Sequence, residues 1–123
     1  MGKININGKE YIPVEEAINF EPAEKLDGMR YVIARTYSAG VFAGYLASQS
    51  EDGKRVVLCN ARRIWEWYGA ATLSQLAMDG TSKPDKCKFP CEVLRVELME
   101  VIELLDVTEK ARLSIKEVPV WEA

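Results

Sequence analysis

The segment Asn60-Ala61-Arg62-Arg63-Ile64-Trp65-Glu66-Trp67-Tyr68-Gly69 places two adjacent arginines, one amide and three large aromatic side chains within one short stretch. A guanidinium donates parallel hydrogen bonds in a planar fork that matches phosphate. Aromatic faces stack on nucleobases, at roughly 1–3 kcal/mol per base. Both types in one place describe a receptor for something anionic and flat, such as a nucleotide. The plain reading of Arg62 and Arg63 is one solvated side chain and one ion pair, for example to Glu66.

A second candidate is Arg35-Thr36-Tyr37-Ser38-Ala39-Gly40, where an arginine at a strand end leads into hydroxyls and a glycine turn. Such a turn can hold phosphate with side-chain and backbone donors. Strand ends also carry Thr, Ser and Gly for turn chemistry alone. This loop therefore gains weight only if it meets the Asn60–Gly69 segment in space. From these two stretches and the Cys87–Cys91 loop, Arg35, Arg62 and Arg63 are the candidates for phosphate. Tyr37, Trp65 and Phe89 are the candidates for base stacking. Asn60 has two readings, helix cap or ligand amide, and Phe89 also has two, base stacker or plug at the core edge.

Other chemistries are poorly supplied. The chain has no histidine, which removes Ser-His-Asp and Cys-His catalysis and imidazole metal ligands. We therefore expect a binder and not an enzyme, with no cofactor and no metal. Cys87-Lys88-Phe89-Pro90-Cys91 invites a zinc reading, but zinc needs four ligands and only Cys59 remains. Glu97, Glu100, Glu103 and Asp106 recur every third residue. On a helix they would line one side, as a Mg²⁺ site or as a solvated face.

The elements that must position these residues read as one α+β domain with an antiparallel β-meander, two or three short helices and an N-terminal hairpin. The 123 residues suffice for one domain. Residues 3–13 alternate around Asn7-Gly8, the preferred hairpin turn, and a short helix is expected over 14–20. Residues 1–28 are read as an appendage to a ligand-binding domain over 29–123. Strands are expected over Arg30–Arg35, Val41–Ser48, Arg55–Cys59 and Val93–Leu98. The small residues at 38–40 and 43–44 mark a bulge or a close approach. A short helix is expected after Asn60, ending near Gly69, and a second over Ala70–Asp79 with Gly80 as its stop. Val101–Leu105 fits strand or helix, and Thr108 caps a helix over 109–117. The Val118–Trp121 tail is expected to dock. On a helix, neighbours sit about 100° apart, so Arg62 and Arg63 would not share one pocket, nor would Trp65 and Trp67 share one face.

The net charge of −3 and pI of about 5.1 argue against a surface for polymeric DNA or RNA. There is no apolar run of membrane-spanning length and no signal-peptide core. Three cysteines without framework spacing fit a reducing compartment. We expect a cytoplasmic protein.

The residues also carry a resemblance. The blocks Tyr31–Gly44, Asn60–Trp65 and Leu73–Ala77, with Cys87-Lys88-Phe89 and Val118-Pro119-Val120-Trp121, resemble a family of small phage and prophage proteins. They are similar to the first Thoeris anti-defence family, the cyclic-nucleotide sponges. The resemblance spans about residues 30–121. It implies a homo-oligomer that sequesters glycocyclic ADP-ribose made by host TIR-domain proteins, with cyclic oligonucleotides captured in a separate site. The alternative is a phage inhibitor that blocks a host nucleic-acid enzyme through the acidic run Glu92–Asp106.

Overall fold

A computed structural model describes residues 21–123 and, ahead of them, the backbone of two short strands, β1 (Ile4–Ile6) and β2 (Lys9–Tyr11). These two pair antiparallel, Ile4 with Tyr11 and Ile6 with Lys9, as the alternating pattern predicts. The Asn7-Gly8 turn and the helix expected over 14–20 lie outside the described residues.

Five strands form the main sheet: β3 (Tyr31–Thr36), β4 (Val41–Gln49), β5 (Val56–Arg63), β6 (Glu92–Leu98) and β7 (Val101–Asp106). Their order is β6-β5-β4-β3-β7, and every pairing is antiparallel. Val101–Asp106 is thus strand and not helix. β6 and β7 lie at opposite edges, yet only Met99 and Glu100 separate them in sequence. The sheet must therefore coil until its edges meet at that corner, where the Val101 N–H donates to the Lys54 carbonyl at 2.8 Å.

Coiling gives the central strands β3, β4 and β5 two buried faces. Val32, Ala34, Phe42, Val56, Leu58, Ala61, Leu98 and Val101 fill the inside. Tyr31, Ile33, Ala43 and Tyr45 face the other way, beneath helices α1 (Leu73–Asp79) and α2 (Glu109–Glu117). This is why Tyr31-Val32-Ile33-Ala34 is apolar without alternation: all four side chains are buried. Thr72 caps α1 by accepting from the Gln75 N–H at 3.1 Å, so the helix starts after Ala70 and Ala71. Thr108 caps α2 by accepting from the Ala111 N–H, and its own hydroxyl donates to the Met78 carbonyl at 2.6 Å. One side chain thus joins both helices. Among the described residues no helix is long and apolar enough to cross a membrane.

The helix expected after Asn60 is not there; β5 runs on through Arg63. The register between β4 and β5 shifts here: Ala43 faces Arg62 while Tyr45 faces Cys59, so Gly44 opposes two residues. Asn60 occupies this bulge at φ 48° and is not a helix cap. Asparagine is one of the few side chains that tolerates the left-handed region. Pairing with β4 and β6 outweighs the weak helix propensity of the aromatic-rich sequence. Gly44 is required by the same bulge. A Cβ there would sit 3.0 Å from the Ala61 Cα and 3.1 Å from the Cys59 carbonyl oxygen, both backbone atoms. Gly44→Ala is expected to cost about 1–3 kcal/mol through overpacking, read as a lower urea midpoint with unchanged slope.

The segment preceding β3 is tied to α2. The Ala23 N–H donates to the Val107 carbonyl, and the Glu24 N–H donates to the Glu109 carboxylate at 2.6 Å. Arg112 grips the same carboxylate with two bonds, at 2.9 and 2.6 Å, and reaches the Tyr45 hydroxyl at 3.2 Å. Arg112 first, and the Glu24 N–H second, hold the Glu109 carboxyl at about 2, below its ordinary 4.5. The folded state thus binds its proton less readily than the unfolded chain. Its contribution is complete above about pH 4.5 and is lost as pH falls toward about 2. Glu109→Gln is expected to cost about 1–2 kcal/mol at pH 7. In denaturation at a series of pH values, that gap from the parent protein closes through the same window.

Candidate functional site

An extended chain sends successive side chains to opposite sides. Along β5 and just beyond, Arg62 and Ile64 turn toward the helices, while Arg63 turns to the opposite face, over its cross-strand neighbour Phe42, and Trp65 is exposed. The two arginines are divided by strand alternation and not by helical rotation. Trp65 and Trp67 nevertheless border one groove.

Arg62 is only 4% exposed. Its Nε donates to the Pro90 carbonyl at 2.9 Å, Nη1 to Ile115 at 2.8 Å and Nη2 to Phe89 at 3.0 Å. Its guanidinium carbon lies 5.5 Å from the Phe89 ring centroid. Burial works against the charge, and the nearby Glu92 carboxylate works in its favour. Arg62 is therefore a clamp that joins β5, the 89–90 loop and the end of α2, and is not available to phosphate. Phe89 is fully buried and offers no face to a base; it plugs the core.

Arg63 differs. Its guanidinium lies 4.3 Å from the Phe42 ring centroid, and Nη1 donates to the Ala39 carbonyl at 2.6 Å. Among the described residues it has no carboxylate partner. The Ala39 carbonyl is held in turn by the Thr36–Gly40 turn: the Thr36 hydroxyl donates to the Gly40 carbonyl and accepts from the Ala39 N–H, each at 2.8 Å. Gly40 closes the turn at φ 91°, a conformation open to glycine. The two candidate stretches thus meet in space. The turn's Ala39 N–H is already engaged, and the Ala39 carbonyl holds Arg63 in place.

Between them lies a groove of about 440 Å³ lined by Ser38, Ala39, Gly40, Val41, Arg63, Ile64, Trp65 and Trp67. That volume falls in the range of small-molecule sites, roughly 300–1,000 Å³. Trp65 stands at the rim, 61% exposed. Trp67 packs partly into the core. Arg35 is not a lining residue; it pairs with Glu103 on β7 at 2.9 Å. Tyr37, 77% exposed, stands on the turn outside the groove. Lys88, absent from the sequence-derived candidates, comes close through a bridge to Glu66 and an ion pair with it at 3.4 Å. Only that pairing across the loop reveals it.

The acidic run falls on β6 and β7, not on a helix. Glu92 pairs with Lys116, Glu97 with Arg95, Glu103 with Arg35 and Asp106 with Arg30. Cys87 is buried against the Tyr68 backbone and Cys91 is exposed. Among the described residues no group of cysteines and carboxylates is arranged to hold a metal ion.

Fold and site together define a small antiparallel-sheet domain, covered by two helices, with a cationic aromatic groove at one end of its central strands. The chain belongs to the family described as a domain of unknown function, DUF6948, whose profile matches residues 29–115. No curated protein and no solved structure matches it.

Proposed function

We propose that the chain binds a small anionic ligand with a flat ring, a cyclic nucleotide, in the Arg63 groove and holds it without cleaving it. The observation that carries this reading is Arg63 itself. It is an arginine with no carboxylate partner among the described residues, set over the Phe42 ring and fixed by the Ala39 carbonyl at the edge of an aromatic-walled groove. One of its five donors is engaged among the described contacts, and the others are available to a ligand in the groove. Fixing the fork beforehand lowers the ordering cost of binding. The resemblance in sequence narrows the ligand to glycocyclic ADP-ribose or a cyclic oligonucleotide, and the protein to a homo-oligomeric phage sponge that silences host signalling. No imidazole is present to serve as acid or base near neutral pH.

The rival reading, inhibition of a host nucleic-acid enzyme through the acidic run, has less support. Glu92, Glu97, Glu103 and Asp106 each carry an ion-pair partner, which leaves little net charge to imitate a phosphate backbone. Calorimetry with cyclic ADP-ribose isomers and cyclic di- and trinucleotides decides. Binding tighter than about 10 μM, roughly −7 kcal/mol, is the expected result, with intact ligand released on heating. Failure of the whole panel to bind sinks the reading, and release of a cleaved product replaces a sponge with an enzyme.

A further inference from the structure

We propose that the ligand's ring rests on the paired indoles of Trp65 and Trp121 at the groove's rim, which makes the C-terminal tail half of the site; this builds on the reading of Arg63 as an anion site. The two indoles are nearly parallel, with centroids 6.3 Å apart and planes 18° apart. They join segments that are distant in sequence. Both stay open to solvent, Trp65 at 61% and Trp121 at 44%.

Anchoring the tail does not require that ring. Val118 is buried, Val120 bridges to Phe89, and the Trp121 backbone N–H donates to the Phe89 carbonyl at 3.0 Å. These contacts fix the tail before the indole begins, so the exposed stacked pair is surplus to folding. The Phe89 carbonyl also accepts from Arg62. The buried arginine is thereby a positioning residue for the platform, while its neighbour Arg63 faces the anion. Lys88 Nζ, paired with Glu66, lies 5.6 Å from the Trp121 ring centroid and closes the other side of that indole.

Trp65 belongs to both the groove and the platform. Arg63 and Trp65 project to one side of an extended chain, separated by roughly 7 Å of backbone. A phosphate at Arg63 thus places an attached nucleoside over the indoles. Bicyclic indole faces suit a bicyclic base, so the ligand class is a purine nucleotide with one phosphate on Arg63.

The test is a titration of the ¹⁵N-labelled full chain with AMP, adenosine and ribose 5-phosphate. The indole N–H signals are assigned by single Trp→Phe changes. AMP and adenosine are expected to shift the signals of Trp65 and Trp121. Ribose 5-phosphate is expected to shift Gly40 and the Arg63 side chain and leave those indoles in place. Trp121→Ala is expected to weaken AMP about tenfold and to leave ribose 5-phosphate unchanged. AMP shifts at Arg63 and Gly40 with Trp65 and Trp121 unmoved overturn the platform and leave the anion groove standing. If none of the three probes shifts Arg63, Gly40 or the indoles, both fall. The indole shifts are read on the unaltered protein, so the result does not depend on how well a variant folds.

Discussion

Arg62→Ala is expected to destabilise the protein by about 2–4 kcal/mol, the largest stability effect of any single change considered for this chain. Three carbonyls lose their donor at once. Those of Phe89 and Ile115 keep a second bond, from the Trp121 and Val118 N–H groups. The Pro90 carbonyl, which among the described residues accepts from Arg62 alone, is left unpaired. The long side chain also fills space between β5 and the end of α2, and its removal opens a cavity. Arg62→Lys keeps the charge but not the fork, and one ammonium does not span three separated acceptors. It is expected to recover less than half of the loss. Urea denaturation of both variants checks this, and an unchanged midpoint for Arg62→Ala would refute the clamp.

Arg63→Ala has the opposite profile. Its side chain is half-buried, with one hydrogen bond to Ala39 and a contact over Phe42, and its removal is expected to cost no more than about 1 kcal/mol. Loss of a charge-assisted fork to phosphate is worth roughly 1.5–3 kcal/mol, so affinity for a cyclic nucleotide should fall about 10- to 100-fold. Arg63→Glu should abolish binding, since a carboxylate then faces the phosphate. Calorimetry beside a thermal melt separates the two arginines: one variant melts early, the other melts normally and binds poorly. Equal affinity in Arg63→Ala and the parent protein would remove the groove as the site.

Several elements are legible in the chain because local chemistry decides them. The Thr108 cap and the helix over 109–117 are found where a capping residue precedes a helical pattern. Gly80 ends α1, and the pairing of Ile4–Ile6 with Lys9–Tyr11 follows their alternation. The small residues at 43–44 mark a bulge, because two backbones pass too closely for a Cβ at Gly44. The segment after Asn60 misleads for an equally definite reason. Its residues suit a helix cap and a short helix about as well as a strand, and the choice rests on partners more than thirty residues ahead in β6 and on β4 behind it.

The sequence by itself determined the inventory: antiparallel strands combined with short helices, no imidazole, and a concentration of arginine and tryptophan able to meet an anionic ring. Only the tertiary structure decided how that inventory is divided. Strand alternation sends Arg62 under the helices and Arg63 to the opposite face, packing of the helices on the sheet buries Phe89, and pairing across the 66–88 and 89–120 bridges brings Trp121 to Trp65. Residue type fixes what a side chain is able to bind. Whether it faces solvent depends on register, and register is set by contacts between segments far apart in the chain.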